Sequence, residues 1–175
     1  MTDPTAPRVL VSLATYNEAG NLAALIGEIH KVVPAAHVLV IDDNSPDGTG
    51  RIADDLAAEL PGIHVMHRPA KLGLGTAVLA AMRFAVGFRY EYLINMDADF
   101  SHPPSVIPQL ITASQDADIV IASRYVPGGG VVGWPVQRKI MSWGINTYVR
   151  LLLGLKTRDN SGSFRCYRVE LLRKP

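Results

Sequence analysis

The sequence predicts an α/β fold built on a mainly parallel sheet with helices on both faces. Three observations support this. Short unbroken apolar runs, the pattern of strands buried on both sides, alternate with amphipathic helical stretches from residue 8 to residue 122. Two of those runs end in paired carboxylates, Asp42-Asp43 and Asp97-Ala98-Asp99, and the carboxyl ends of strands are where open α/β sheets bind ligands. No repeat, low-complexity tract or linker breaks the alternation.

The elements follow in order. Val9–Thr15 is apolar and rich in β-branched residues, and reads as the first strand, left through Tyr16-Asn17-Glu18. Residues 19–33 set Leu22, Leu25, Ile26 and Ile29 on one helical face. Residues 38–41 form the second strand. Asp47 with Gly48-Thr49 reads as the cap of a helix whose Ile52, Leu56 and Leu60 share a stripe and which Pro61-Gly62 stops. Ile63–His67 is the third strand, 74–86 a helix, 92–96 the fourth strand, 105–114 a helix and 118–122 the fifth strand.

Beyond Tyr125 the pattern changes. Val126-Pro127-Gly128-Gly129-Gly130 is expected to be a mobile loop. Residues 138–155 read as a helix mixing Ile140, Met141, Trp143, Ile145, Tyr148, Leu151, Leu152 and Leu153 with Arg138, Lys139 and Arg150. That mixture suits a helix at a membrane interface and equally a helix packed on the sheet.

The 175 residues fit one domain, read as 1–122 followed by a basic part, 123–175. Residues 1–119 hold seven Lys/Arg against fourteen Asp/Glu, and residues 120–175 hold ten against two. An acidic half that suits a metal, followed by a basic half, points to two parts of one phosphorylated reaction. No nucleic-acid-binding motif accompanies the basic residues, so no nucleic-acid partner is expected. Cys166, the single cysteine, excludes an internal disulfide, fits a reducing compartment and is expected to be structural. Residues 1–7 are polar and proline-rich, unlike a signal peptide, and no window has the roughly 20 apolar residues of a membrane span.

Asp97 and Asp99 stand at i and i+2 of an extended segment and so face one ligand together. Two hard oxygen ligands there suit Mg²⁺ or Mn²⁺, which fill their remaining positions from phosphates and water. His102 reads as a loop histidine fixed by Pro103-Pro104 rather than as a ligand. The turn from Ala14 to Glu18 can contact a base or ribose, and a carboxylate at Asp42-Asp43 can accept hydrogen bonds from a guanine or uracil. Lys71-Leu72-Gly73-Leu74-Gly75-Thr76 is a glycine turn whose backbone N–H groups can approach phosphate. It matches part of a dinucleotide fingerprint, but Val78 stands where the third glycine belongs and the turn follows strand three, which ranks a nicotinamide-dependent oxidoreductase last. Arg124 and Arg138 flank the glycine loop and can clamp a phosphate. Ser161-Gly162-Ser163-Phe164-Arg165-Cys166-Tyr167-Arg168 is a small-residue turn followed by basic and aromatic residues.

Taken in this order, Tyr16-Asn17-Glu18, Asp42 through Thr49, Lys71 through Thr76, Asp97-Ala98-Asp99-Phe100-Ser101-His102-Pro103-Pro104 and Gly162-Ser163-Phe164-Arg165 resemble the motifs of family 2 glycosyltransferases, and among them of the polyprenol-phosphate (dolichol-phosphate) mannosyltransferases. The resemblance runs from Val9 to about Arg173. It implies a GT-A (Rossmann-like) nucleotide-sugar-binding fold and transfer of mannose from GDP-mannose to a polyprenyl monophosphate with inversion at the sugar. It also implies Mg²⁺ or Mn²⁺ as cofactor and a peripheral position at the cytoplasmic face of a membrane, with room for a membrane-protein partner.

Carried onto this chain, Ala14, Tyr16, Glu18 and Asp43 would hold the nucleoside, with Asp42, Lys71 and Ala98 also in the substrate site. Asp97 and Asp99 would hold the metal, Ser101 adding a neutral contact. Arg124 and Arg138 would hold the acceptor phosphate, and Asp99 is a candidate base that an ionised phosphate nucleophile does not require. Two departures stand out. Ala14 occupies a position usually held by proline. The chain ends at Pro175, where family members continue with a further basic segment, so the C-terminal part of the family domain is expected to be missing. The alternatives are the same transfer from UDP-glucose or UDP-N-acetylglucosamine, or a truncated nucleotide-binding module without catalysis.

Overall fold

The computed structural model describes residues 7–130 and 135–173. In chain order the elements are β1 (Val9–Thr15), α1 (Leu22–Val32), β2 (His37–Asp42), α2 (Thr49–Glu59), β3 (Ile63–His67), α3 (Leu74–Gly87) and β4 (Tyr92–Asp97). There follow a 3₁₀ turn (Pro104–Val106), α4 (Ile107–Ala113), β5 (Ile119–Ile121), α5 (Val136–Leu153), β6 (Arg165–Arg168) and a second 3₁₀ turn (Val169–Arg173). Among the described residues the strands form one sheet in the order β3-β2-β1-β4-β6-β5. The first four are parallel, and β6 runs antiparallel to both β4 and β5.

Alternation along the strands supplies a core on each face. Val9, Val11 and Leu13 of β1 pack with Val38, Val40, Ile94 and Met96 under Leu22, Leu25, Ile26 and Ile29 of α1 and Ile107 and Leu110 of α4. Leu10, Leu39, Ile41 and Leu93 face the other way, onto α3. That helix presents Ala77, Ala81 and Ala85, one small residue per turn. A ridge of methyl groups allows a helix to sit close to a sheet.

Three details differ from the sequence expectation. The helix over 105–114 is split: Pro104 opens a 3₁₀ turn and Pro108 lies in the first turn of α4, where its missing N–H costs no hydrogen bond. The fifth strand runs in the same direction as the first four but sits at the sheet edge, paired only with the antiparallel β6. Arg165–Arg168, read as part of a basic stretch, is β6 and separates β5 from β4. Its centre is Cys166, fully buried between Ile94 and Val120, where burial pushes the thiol up to about 11 and leaves it inert. The arginines at its ends serve structure, Arg168 donating to the carbonyls of Ser114 and Gln115 at 2.9 and 2.7 Å.

For α5 the sequence left a membrane interface and packing on the sheet equally open, and the helix does not pack on the sheet. Ile140, Met141, Trp143, Tyr148, Leu151 and Leu152 are each more than 60% exposed, and Asn146 is the one buried residue among those described in the helix. Gly154, at φ +62°, ends it. No helix among the described residues is long and apolar enough to cross a membrane.

At the opposite end of the sheet from the acidic pairs, His37 Nδ1 lies 2.7 Å from Tyr90 Oη, and His64 Nε2 lies 3.2 Å from the same hydroxyl. Burial, then the neighbouring His64, Arg8 and His30, hold His37 below the ordinary histidine value of 6.5, and burial does the same for His64. A histidine depressed in the folded state binds fewer protons there than in the unfolded chain. Its contribution to stability is therefore complete above pH 6.5 and is lost as pH falls from 6.5 through the folded value. Urea unfolding is expected to show a falling midpoint from about pH 7.5 to 5, with a shallower slope in His64→Gln. An identical slope in the variant would contradict the assignment.

Candidate active site

Parallel register aligns the strand ends. Ala14 is paired with Ile41 on one side and with Asp97 on the other, and Thr15 is paired with Asp42, which in turn faces His67. Chain order reverses between β1 and β4, so the crevice at their carboxyl ends is the topological switch point of the sheet. Three loops leaving this edge each contain a non-glycine residue in the left-handed region: Asn17 (φ 65°), Asn44 (φ 57°) and Phe100 (φ 60°). Asparagine tolerates that conformation, whereas for phenylalanine it is strained, and such strain collects at functional sites.

On the β1–β2–β3 side the two adjacent aspartates have separate tasks. Asp42 turns inward, 2% exposed, and accepts hydrogen bonds from Thr15 Oγ1 (3.1 Å) and from the Ser45 amide (3.0 Å) and hydroxyl (2.5 Å). It organises the loop that leaves β2. Asp43 forms an ion pair with Arg68, both side chains being 8% exposed. Arg68 also donates to Thr76 Oγ1 (2.6 Å) and to the Gly73 carbonyl (3.2 Å), tying Asp43 to the glycine turn. Gly73 itself sits at φ +89°, a conformation a side chain would strain.

Lys71 Nζ lies 4.0 Å from the centre of the Tyr16 ring, a cation–π contact that joins the loop after β1 to the glycine turn after β3. Glu18 accepts from Asn21 Nδ2 (2.9 Å), and its amide donates to Thr49 Oγ1 (2.9 Å). The N-cap of α2 is Gly48 rather than Asp47, which stands one residue before it and accepts from the Thr49 amide (3.0 Å) and hydroxyl (2.6 Å) and from the Ala19 amide (3.1 Å). The Thr49 hydroxyl and these amides hold its carboxyl below the usual range.

On the β4 side, Asp97 is partly exposed, and the Ser163 hydroxyl lies 2.9 Å from both of its oxygens. Asp99 is exposed and accepts the Ser101 amide at 2.9 Å. Partial burial would raise its pKa, but the Ser101 amide and hydroxyl overcome that and hold the carboxyl below its ordinary value. Ala98, 3% exposed, points into the core, so only its backbone is available to a ligand. His102 has a definite role: its Nδ1 accepts the Asp97 amide at 3.0 Å, and its ring stacks on Phe164 at 4.9 Å. An amide can only donate, so Nδ1 is unprotonated and the neutral ring carries its proton on Nε2, 3.7 Å from Asp97 Oδ2. Burial lowers the His102 pKa despite the two aspartates.

Arg124, just past β5, meets Asp159 in a two-pronged ion pair, with Nε to Oδ2 at 2.7 Å and Nη2 to Oδ1 at 2.6 Å. Burial opposes ionisation of Asp159, yet its hydrogen bonds from Arg124 prevail and keep it below the usual range. Arg124 also borders a cleft of about 450 Å³ against α5, lined by Pro135, Met141, Ser142, Ile145 and Ser161. Arg138 belongs to α5, but its side chain lies outside the described residues.

A family model described as glycosyl transferase family 2 matches residues 11–174. The chain belongs to that family. Two curated relatives extend the likeness. The chain is 48% identical to an undecaprenyl-phosphate mannosyltransferase of Micrococcus luteus and 47% identical to a polyprenol monophosphomannose synthase of Mycolicibacterium smegmatis, over 95% of its length in both cases. It spans 68% and 64% of those relatives, about two thirds of their length. Among solved structures, a mannosyltransferase from Pyrobaculum calidifontis in complex with GDP-Man and Mn²⁺ superposes with a TM-score of 0.64 at 20% identity, covering 97% of this chain and 47% of that one. Glucosyl-3-phosphoglycerate synthase from Mycobacterium tuberculosis gives 0.64 at 18%, covering 95% and 58%. At those identities the likeness establishes the fold, which is GT-A.

Three residues that shape this glycosyltransferase site escaped the sequence reading, Arg68, Asn146 and Asp159, and Ser163 was singled out only as part of its motif, without a role. Each acts on a partner distant in sequence, so no local spacing marks its role. Removing one partner of a buried ion pair leaves the other charge uncompensated. Arg68→Met is expected to cost about 3–5 kcal/mol in urea unfolding, and Asp43→Leu/Arg68→Met to recover most of it. A double variant as unstable as the single one would show that the pair is not the source.

Proposed function

We propose that this chain carries the catalytic site of a polyprenyl-phosphate mannosyltransferase, moving mannose from GDP-mannose to a polyprenyl monophosphate with inversion at the sugar carbon. The observation that carries the reading is the 48% and 47% identity to two such relatives across 95% of the chain. The crevice supports it. In this reading Tyr16, Glu18 and Asp43, at the ends of β1 and β2, take the nucleoside, and Asp97 and Asp99, at the end of β4, take the diphosphate.

The donor set fits a divalent cation of the Mg²⁺ or Mn²⁺ kind. Among the described residues no group of three His, Cys, Asp or Glu converges on one point. The chain thus offers two carboxylates, Asp97 and Asp99, with the Ser101 hydroxyl nearby, which matches a cation that takes its other ligands from phosphate and water. When bound, such a cation neutralises charge on the departing diphosphate.

The chain's own residues do the rest. The Ser163 hydroxyl and the turn built on His102 hold the Asp97 carboxylate in place, and the depressed pKa of Asp99 keeps it ionised at neutral pH. Arg124, with Arg138, orients the acceptor phosphate, whose oxygen forms the new bond to the sugar carbon as the bond to GDP breaks. That oxygen is already ionised at neutral pH, so no strong base is required, and the contribution is one of proximity and charge. The basic part, 123–175, serves the acceptor, and the exposed apolar residues of α5 meet the membrane surface from which a polyprenyl lipid is presented, on its cytoplasmic face.

The test is transfer from radiolabelled GDP-mannose to a short polyprenyl monophosphate with Mn²⁺ or Mg²⁺ and with EDTA, alongside GDP binding by calorimetry. Metal-dependent labelled lipid is expected, with transfer by Asp97→Ala reduced at least about 10²-fold. Labelling from UDP-glucose instead would overturn the donor assignment. GDP binding without transfer would make the chain a donor-binding portion only.

A further inference from the structure

Arg124 sits in an arrangement that its proposed contact with phosphate does not itself explain. Its partner Asp159 is fully buried and has both oxygens engaged: besides the two guanidinium bonds, it accepts the Arg124 amide (3.0 Å) and the Gly162 amide (3.0 Å). A Cβ on Gly162 would come within 3.2 Å of that carboxylate, so the turn closes over Asp159 because residue 162 is glycine. Arg124 Nη2 also donates to Ser161 Oγ at 2.9 Å.

The same turn is gripped from α5. Asn146, 4% exposed, accepts the amides of Asn160 (2.7 Å) and Ser161 (3.2 Å) on its carbonyl oxygen. Its amino group donates to Ser161 Oγ (3.0 Å) and to the Ser142 carbonyl (2.8 Å). An unbroken polar chain thus runs from α5 through Asn146 and the 159–162 turn to the guanidinium. Ser142 and Ser161, both in that chain, line the cleft beside Arg124 together with Met141 and Ile145.

We propose that Asp159 is a positioning residue for acceptor use. It fixes the plane of the Arg124 guanidinium, and Asn146 sets that plane relative to the apolar wall of the cleft, so that a ligand with an anionic head and an apolar chain meets both at one spacing. A two-pronged carboxylate removes the torsional freedom of a long arginine before any ligand arrives. Asn146 has all four of its hydrogen-bonding positions used within this network, so any shift of α5 carries the turn with it. The inference rests on the reading that Arg124 serves the acceptor phosphate.

The experiment compares Asp159→Asn, Asn146→Ala and Arg124→Ala with the parent chain. It measures calorimetric affinity for a short polyprenyl monophosphate, affinity for GDP with Mn²⁺, and kcat and KM for the acceptor. Asp159→Asn is expected to weaken acceptor affinity and raise acceptor KM by about 10- to 100-fold, with GDP affinity unchanged within about twofold and Arg124→Ala at least as impaired. A general structural loss would lower GDP affinity in parallel, and that outcome overturns the proposal. If Arg124→Ala is impaired and Asp159→Asn is not, the positioning role alone fails. If Arg124→Ala keeps full acceptor affinity, the acceptor assignment fails and the inference with it. Should Asp159→Asn not fold, the same split in Asn146→Ala decides.

Discussion

Everything in the crevice depends on the parallel register of β2, β1 and β4. Because Ala14 is paired with Asp97, and Thr15 with Asp42, three loops that are 27 to 83 residues apart in sequence leave the sheet at one level. A slip of one residue would exchange the two faces of a strand, burying Asp97 and exposing Met96. The register is held by the two cores, which require Leu13 and Met96 on one face and Leu10 and Leu93 on the other. It is also held by a polar cross-link inside the sheet: Ser12 donates to Asn95 Oδ1 at 3.0 Å, and Asn95 Nδ2 reaches on to the Ser163 carbonyl at 3.1 Å.

That last bond leads to the second organising feature, the antiparallel strand β6. By entering between β4 and β5 it carries the 159–164 segment along the carboxyl end of β4. Ser163 is thereby set against Asp97, Phe164 beneath the His102 ring, and Asp159 against Arg124. One short segment supports both the carboxylate side of the site and the basic side. An enzyme that must keep a sugar donor and a phosphate acceptor aligned gains from such shared support, because alignment itself accounts for much of the acceleration in a two-substrate transfer.

The site uses buried charge where apolar packing would be the more stable choice. Desolvating two ions typically costs as much as their attraction returns, so Asp43–Arg68 and Asp159–Arg124 are weak explanations of stability. Their value lies in direction. An arginine held by a carboxylate has one orientation, and each of these pairs fastens a loop that would otherwise be free to move. Helix α5 shows the converse. Its apolar surface is exposed, and its described polar ties, Asn146 to the 160–161 turn and Tyr125 Oη to Ser142 Oγ at 2.7 Å, lie on the side facing the crevice.

The sequence by itself determined the parallel half of the fold. Apolar runs of strand length, Leu22, Leu25, Ile26 and Ile29 at helical spacing, and Asp47-Gly48-Thr49 at a helix start are local signals, and α1, α2 and β3 lie where those signals put them, apart from shifts of a few residues at their ends. At the end of β4 the apolar run placed Asp97 correctly at the strand terminus, whereas Asp99 falls in the bend beyond it, where strand alternation no longer applies. What lay beyond the sequence was every choice between partners. Asp42 and Asp43 are chemically identical neighbours, and only the tertiary structure gives one to Thr15 and Ser45 and the other to Arg68. β6 was hidden because its two inward residues stand between arginines, whose charges are satisfied by carbonyls about 50 residues away or in the preceding turn. Local pattern fixes conformation because it acts over a few bonds, whereas pairing of buried charges is decided by which groups the completed sheet brings within contact.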